Sequence, residues 1–189
     1  VMGAAVPILG GIVIDMKGFN KILSIDTEDM TAKVESGMLL SDLSNFLEEQ
    51  GLMLGHDPWS LHIATVGGAI CTNGIGYKAS FCGSMGAQVL GLEAVLPNGE
   101  IITTLAVPQY SSAPNLNHLF IGSEGVFGII TKATIQIYRI PEKRSFSTFE
   151  FCEFQSGFDA VTELFGLGLK PALVDLAEEY GKVTLYLMF

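Results

Sequence analysis

Residues 55–76, GHDPWSLHIATVGGAICTNGIG, constrain this chain more than any other stretch. Gly55, Gly67, Gly68, Gly74 and Gly76 fall within it, small or hydroxyl-bearing residues lie between Ser60 and Asn73, and almost no charge follows Asp57. Such a segment buries little side chain of its own. Glycine lacks a Cβ and lets another group approach the backbone closely. A neutral polar lining suits a large, planar, hydrogen-bonding ligand. The stretch therefore reads as one wall of a ligand site, although a glycine pair such as Gly67-Gly68 is also a common structural device.

The rest of the composition narrows the ligand. The 189 residues are 49% hydrophobic with a mean hydropathy of +0.43, enough for a real core. Charged residues make up only 16%, which predicts that part of the surface is covered by more chain, a ligand or a partner, a second copy included. The net charge of -10 disfavours nucleic acid and anionic membrane surfaces, both of which need basic patches. An anionic cofactor stays open, because backbone amides bind phosphate without net positive charge.

The three cysteines, Cys71, Cys82 and Cys152, fit neither a disulfide framework nor a zinc site. Reduced thiols and a cytoplasmic setting are expected. No two histidines share metal-ligand spacing, so no metal is expected. Neither a secretory leader nor an apolar run of about 18 residues is legible.

Along the chain, GIVID (11–15), ILSID (22–26) and TAKVES (31–36) read as strands, the last two paired. A helix follows with Leu39, Leu43, Phe46 and Leu47 on one face, Ser41 or Asp42 as its cap and Gly51 at its end. VLGLEAVLPNGEII (89–102) reads as a hairpin turning at Asn98-Gly99. Asn115 caps a short helix over Leu116, Leu119 and Phe120, which leads into GSEGVFG (122–128). A strand then alternates, with Ile129, Thr131, Ala133, Ile135 and Ile137 on one face, until Pro141. Beyond it come a strand at FSTFEFCEF, a helix over 155–167 with Phe158, Val161, Leu164 and Phe165 inward, and a strand at 183–189. A domain boundary is expected near 140–146.

No G-x-x-x-x-G-K-[ST] loop and no G-x-G-x-x-G fingerprint occurs. Gly122-Ser123-Glu124-Gly125 with Gly128 is a second glycine-rich turn, either a plain connection or a device presenting the main chain of 126–130 to a base. His56 is open to three readings: a proton carrier, a residue at a ring edge, or a surface turn residue. His62 and His118 read as ordinary lone histidines. Cys71 reads as a small buried thiol, since no basic group adjoins it in sequence.

Four ordered segments carry a resemblance: GAAVPILGGIVIDM, DPWSLHIATVGGAICTNGIGYKAS, GSMGAQVLGLEAVLPNGEII and HLFIGSEGVFGIITKATIQI. Together they resemble the FAD-binding domain of the vanillyl-alcohol oxidase / p-cresol methylhydroxylase superfamily. That group of FAD-linked oxidases includes D-lactate and glycolate dehydrogenases and alkylglycerone-phosphate synthases. The resemblance spans about residues 3–141. It implies an α+β domain of the p-cresol methylhydroxylase type over 1–143, followed by the start of a substrate or cap domain over 144–189.

The resemblance also implies roles. Pro58, Ser60, Ala64, Thr65, Val66, Gly67 and Gly68 would run along the flavin and its phosphate arm, with Thr72, Asn73 and Gly74 close by. Glu124, Gly125, Val126, Gly128, Ile129 and Ile130 would lie at the adenosine end, where a strand edge pairs with adenine. The family's first phosphate loop would precede Val1, and its C-terminal catalytic residues would follow Phe189. Cys82 stands where a tyrosine is usual, and Ala87 where an acid is usual. In the synthase branch a substrate-contacting arginine matches the position of Asp175.

The implied function is the FAD-binding part of a flavin-dependent oxidoreductase, with non-covalent FAD, acting on a 2-hydroxy acid such as D-lactate or glycolate. A synthase-like flavoenzyme of ether-lipid synthesis is the alternative within the class. A non-catalytic flavoprotein fragment serving as a binding module is the alternative outside it.

Overall fold

The alternation read at 129–139 becomes the spine of the molecule. In the computed structural model, which describes residues 6–189, the chain forms β1 (Ile22–Asp26), β2 (Thr31–Glu35), α1 (Leu40–Glu48), β3 (Leu52–Leu54), α2 (Val66–Cys71), α3 (Ala79–Cys82), β4 (Val89–Val95), β5 (Ile101–Thr103), α4 (Asn117–Phe120) and β6 (Ile129–Arg139). The first sheet has the order β1-β2-β6-β4-β5, and β3 also pairs with β6. Every pairing is antiparallel. One long strand thus joins three others, because its inward residues Ala133, Ile135 and Ile137 can be covered by the buried Leu40, Leu43 and Leu47 of α1.

The alternation fails at the start of β6. Glu93 pairs with Lys132 but Ala94 pairs with Ile130, so Thr131 has no opposite number. This bulge turns Ile130 inward beside the buried Thr131, while Ile129 is only half-buried. The sequence pattern had placed Ile129, not Ile130, on the core face. The Thr131 hydroxyl donates to Glu93 Oε1 at 2.7 Å, and Lys132 Nζ meets Glu93 Oε2 at 3.0 Å. The Thr131 hydrogen bond, with Lys132 behind it, holds the Glu93 carboxyl below its ordinary value.

Two further expectations change. Residues 11–15 form no strand, and Ile12 stays 91% exposed. They pair with no strand among the described residues, and a lone strand is not stable in water. Asp15 instead accepts from the Lys17 amide and caps a 3-10 turn. The cap of α1 is Leu39, not Ser41 or Asp42, and it makes no side-chain bond. The first helical amides are taken by carbonyls: Leu40 N–H donates to Ala64 O and Ser41 N–H to Leu61 O. Gly51 does take the left-handed conformation at φ +73°.

The β4–β5 hairpin turns where expected. Gly99 N–H donates to Leu96 O, and Leu96 N–H to Glu100 O. Only Gly99 has positive φ, at +85°, so this is a three-residue loop with a type I turn and a left-handed glycine. Asn115 Oδ1 accepts from the Asn117 amide at 3.0 Å just ahead of α4, but the cap position of that helix is Leu116 rather than Asn115.

From Phe146 the chain builds a second sheet. β7 (Phe146–Phe151), β8 (Leu173–Glu179) and β9 (Lys182–Met188) run antiparallel in the order β7-β9-β8, with α5 (Phe154–Gly166) against one face. The helix meets the sheet through Gly157, where an added Cβ would lie 2.7 Å from Leu176 Cδ1. That close approach sets the rotation of α5. Ala160, Val161 and Leu164 are half-buried, while Phe158 and Phe165 stay exposed, contrary to the inward role read for both.

Candidate cofactor site

Four main-chain bonds pin the glycine-rich stretch to the β2–α1 junction. Besides the Leu61 and Ala64 carbonyls already engaged by α1, Val66 N–H donates to Met38 O at 2.9 Å and Gly67 N–H to Ser36 O at 2.7 Å. Thr65 Oγ1 accepts from Gly68 N–H at 3.1 Å and caps α2. The amides of Val66, Gly67 and Gly68, residues read as running along the flavin, are therefore engaged within the protein. Their glycines serve in two different ways. A Cβ on Gly67 would lie 2.8 Å from Ser36 Cβ, so Gly67 exists for packing. Gly68 is exposed and meets only the Thr65 hydroxyl, so its open side faces outward.

The second glycine-rich turn closes onto the end of this helix. Gly122 N–H donates to Ile70 O at 3.0 Å, and Glu124 N–H to Cys71 O at 2.9 Å. The turn thus satisfies the Cys71 carbonyl at the end of α2 and adds a second bond to Ile70 O, which also accepts from Asn73 N–H. Glu124 sits at φ +52° and Gly125 at φ +86°, with nothing near the Gly125 α-carbon. Burial pushes the Cys71 thiol up, the Gly125 amide bond lowers it, and the Glu124 carboxylate raises it again. Cys71 is a neutral packing thiol.

Gly68, Thr72 and Asn73 on one side, and Glu124, Gly125 and Val126 on the other, are exposed around this junction. Val66, Gly67, Gly128 and Ile130 are buried beneath it. Asn73 and Gly74 have internal duties: Asn73 Oδ1 accepts from Gly86 N–H, and Gly74 O accepts from Met85 N–H. Pro58 and Ser60 lie in the preceding turn, where Pro58 O accepts from Leu61 N–H and Ser60 O from Ile63 and Ala64 N–H. β6 is an interior strand of the sheet. Its first residues nevertheless keep one open flank. The β2 ladder starts at Lys132, and Ser36 N–H reaches Thr131 O, leaving the β2 side of Ile129 and Ile130 without a strand alongside.

His56 lies under the wall. It is 1% exposed, its Nδ1 has no partner, and a Cβ on Gly74 would lie 3.1 Å from its Cε1 and Nε2. Burial lowers its pKa, and Asp57 opposes this more weakly. The surface-turn reading of His56 is therefore excluded. Sequence reasoning missed the clasp next to it. Lys78 N–H donates to Asp57 Oδ1 at 2.8 Å, and Lys78 Nζ lies 3.4 Å from Asp57 Oδ2. The only local signal was Gly76, where a Cβ would lie 2.8 Å from Asp57 N.

A neutral, small-residue strip held rigid from beneath and open on one side defines an α+β domain that seats a flat, extended cofactor. The chain belongs to the FAD binding domain family, whose model matches residues 1–105. It is 36% identical over 179 residues to D-lactate dehydrogenase of Anaerostipes hadrus, covering 94% of this chain and 38% of that one. Glycolate oxidase subunit GlcD of Bacillus subtilis is 32% identical over 192 residues, covering 97% and 41%. Alkyldihydroxyacetonephosphate synthase of Caenorhabditis elegans is 34% identical over 167 residues, covering 88% and 28%. A solved alkyldihydroxyacetonephosphate synthase shares the fold, with a TM-score of 0.85 over 100% of this chain and 40% of its own. The chain thus spans between about a quarter and two fifths of these relatives' lengths.

FAD is the cofactor of this family, and the residues present fit it. The open glycines Gly68 and Gly125 admit a ligand against the main chain, and the lining is largely neutral. Among the described residues no cluster of metal-ligating side chains occurs, and no helix is long and apolar enough to cross a membrane.

Proposed function

We propose that this chain is the FAD-seating part of a longer flavin-dependent oxidoreductase acting on a 2-hydroxy acid. The observation that carries the reading is the junction at Ile70–Cys71, where two glycine-rich segments distant in sequence become one outward-facing, largely neutral surface with Glu124 as its carboxylate. When bound, FAD supplies the redox chemistry, accepting a hydride equivalent from the substrate's hydroxyl-bearing carbon. This chain's residues place the cofactor. Thr65, Gly68, Thr72, Glu124, Gly125 and Val126 border it, Ile129 and Ile130 offer main-chain groups at the far end, and Val66, Gly67 and Gly128 hold the wall from behind.

The substrate class is supported by the D-lactate and glycolate relatives, which align over nearly the whole chain. A synthase-like flavoenzyme is the second reading, supported by the whole-chain likeness to the solved synthase. Asp175 counts against it, because a carboxylate disfavours a phosphate-bearing substrate nearby. The division into residues 1–143 and 144–189 is part of this proposal, supported by the separate sheets. Rapid-mixing absorbance of the longer flavoprotein decides between the enzyme readings. Bleaching of bound flavin by D-lactate or glycolate, and none by an acyl-glycerone phosphate, supports the oxidoreductase. The reverse pattern refutes it.

A further inference from the structure

The sheet β7-β9-β8 has two faces. Val183, Leu185 and Leu187 are buried, and Leu176 packs on Gly157 of α5. Strand alternation sends Asp175 and Tyr186 to the opposite face. Register puts Asp175 of β8 beside Tyr186 of β9, and Tyr186 beside Thr148 of β7. The three form one row across the sheet, spaced about 4.8 Å from strand to strand. None of the three side chains makes a hydrogen bond or ion pair to protein among the described residues.

This row lines an open groove of about 310 Å³, which Tyr77 also borders. A second cavity of about 400 Å³ continues from it past Tyr77 and Asp175 to Trp59 and Pro58 of the flavin wall. Asp175 carries the only formal charge in the lining of either cavity. The cleft therefore offers one strong acceptor, the hydroxyls of Tyr77, Ser80, Ser147, Thr148 and Tyr186, and aromatic surfaces, with no cation for an anion.

We infer that this cleft binds the hydroxyl-rich, uncharged tail of a 2-hydroxy acid substrate longer than lactate or glycolate, with Asp175 as the specificity-determining acceptor and Tyr186 and Thr148 continuing the row. Hydroxyl groups fit because they donate to Asp175 and both donate to and accept from the other two. C–H faces of a polyol lie against Tyr77 and Trp59. A phosphate or carboxylate at this position is repelled, since no partner offsets the Asp175 charge. The inference rests on the flavoenzyme reading only in calling the ligand a substrate.

Ligand-observed saturation-transfer NMR on the 189-residue chain without flavin tests it, using xylitol, glycerol 3-phosphate and choline as probes. Saturable binding of xylitol, with weaker or no binding of the other two, is expected. Asp175→Asn weakens xylitol about tenfold, Tyr186→Phe weakens it severalfold, and Asp175→Arg creates binding of glycerol 3-phosphate. Choline binding more tightly than xylitol, absence of xylitol binding, or equal xylitol affinity in Asp175→Asn and Tyr186→Phe overturns the inference. Xylitol binding needs no flavin, so its failure stands apart from failure of the FAD reading.

Discussion

The backbone N–H of Glu124 donates to the carbonyl of Cys71 at 2.9 Å, joining residues 53 positions apart in sequence. This bond, with the one from Gly122 to Ile70, is what makes two glycine-rich segments a single surface. The positive φ of Glu124 (+52°) is part of the geometry that aims its amide at the helix end.

Gly67 and Gly68 are adjacent and should fail differently. Gly67→Ala drives a methyl to within 2.8 Å of Ser36 Cβ and costs about 1–3 kcal/mol of stability by overpacking. Gly68→Val meets only the Thr65 hydroxyl and costs below about 1 kcal/mol, the range of helix propensity. Its effect should instead appear as lost FAD affinity. Urea unfolding and FAD titration of both variants check this. Equal destabilisation by the two would contradict the assignment of Gly67 to packing and Gly68 to ligand.

Gly99 has open space around it but sits at φ +85°. Gly99→Val therefore acts through the backbone alone and should destabilise by roughly 1 kcal/mol or more. FAD affinity should be unchanged, because the hairpin tip lies outside the wall. Wild-type stability in urea would remove the left-handed turn assignment.

His56 gives a pH dependence with a defined sign. Burial holds its folded pKa below the ordinary 6.5, so below that pH the unfolded chain binds a proton that the folded chain excludes. The contribution is intact above about 6.5 and is lost as pH falls from there toward the folded value. His56→Gln keeps a polar side chain of similar reach without the titration. Its stability should fall less steeply between about pH 7 and 5 than the wild type's. Parallel profiles from chemical unfolding would exclude His56 as the source.

The Asp57–Lys78 clasp ties the turn at the start of the wall to the segment before α3. Both side chains are partly buried, 25% and 16% exposed. Lys78→Met keeps the stem and removes the charge, leaving Asp57 with only the Lys78 amide. A loss of about 1 kcal/mol is expected in thermal or urea unfolding. No loss would mean that the amide alone holds Asp57.

Much of this was legible because it is written in local pattern. The β4–β5 turn at Asn98-Gly99, the α1 face at Leu43 and Leu47, and the long strand over 129–139 all appear as periodicity or turn chemistry. What escaped depends on partners distant in sequence. The bulge at Thr131 exists because β4 and β6 pair out of step. Leu39 became the cap of α1 because carbonyls from the wall satisfy the helix amides. Phe158 and Phe165 turned outward because Gly157 permits a close approach that their own spacing does not reveal. GIVID had strand composition but pairs with no strand among the described residues. Of the wall residues, the sequence located the strip but did not separate Gly67, used for packing, from Gly68, open to a ligand.

The most direct test of the central claim is an FAD titration of the 189-residue chain, followed by flavin absorbance and fluorescence, beside its Gly68→Val variant. The account predicts saturable FAD uptake by the wild type and at least a tenfold loss of affinity in a folded Gly68→Val. A colourless wild type that takes up no added FAD, or a Gly68→Val that binds FAD as tightly as the wild type, would contradict it.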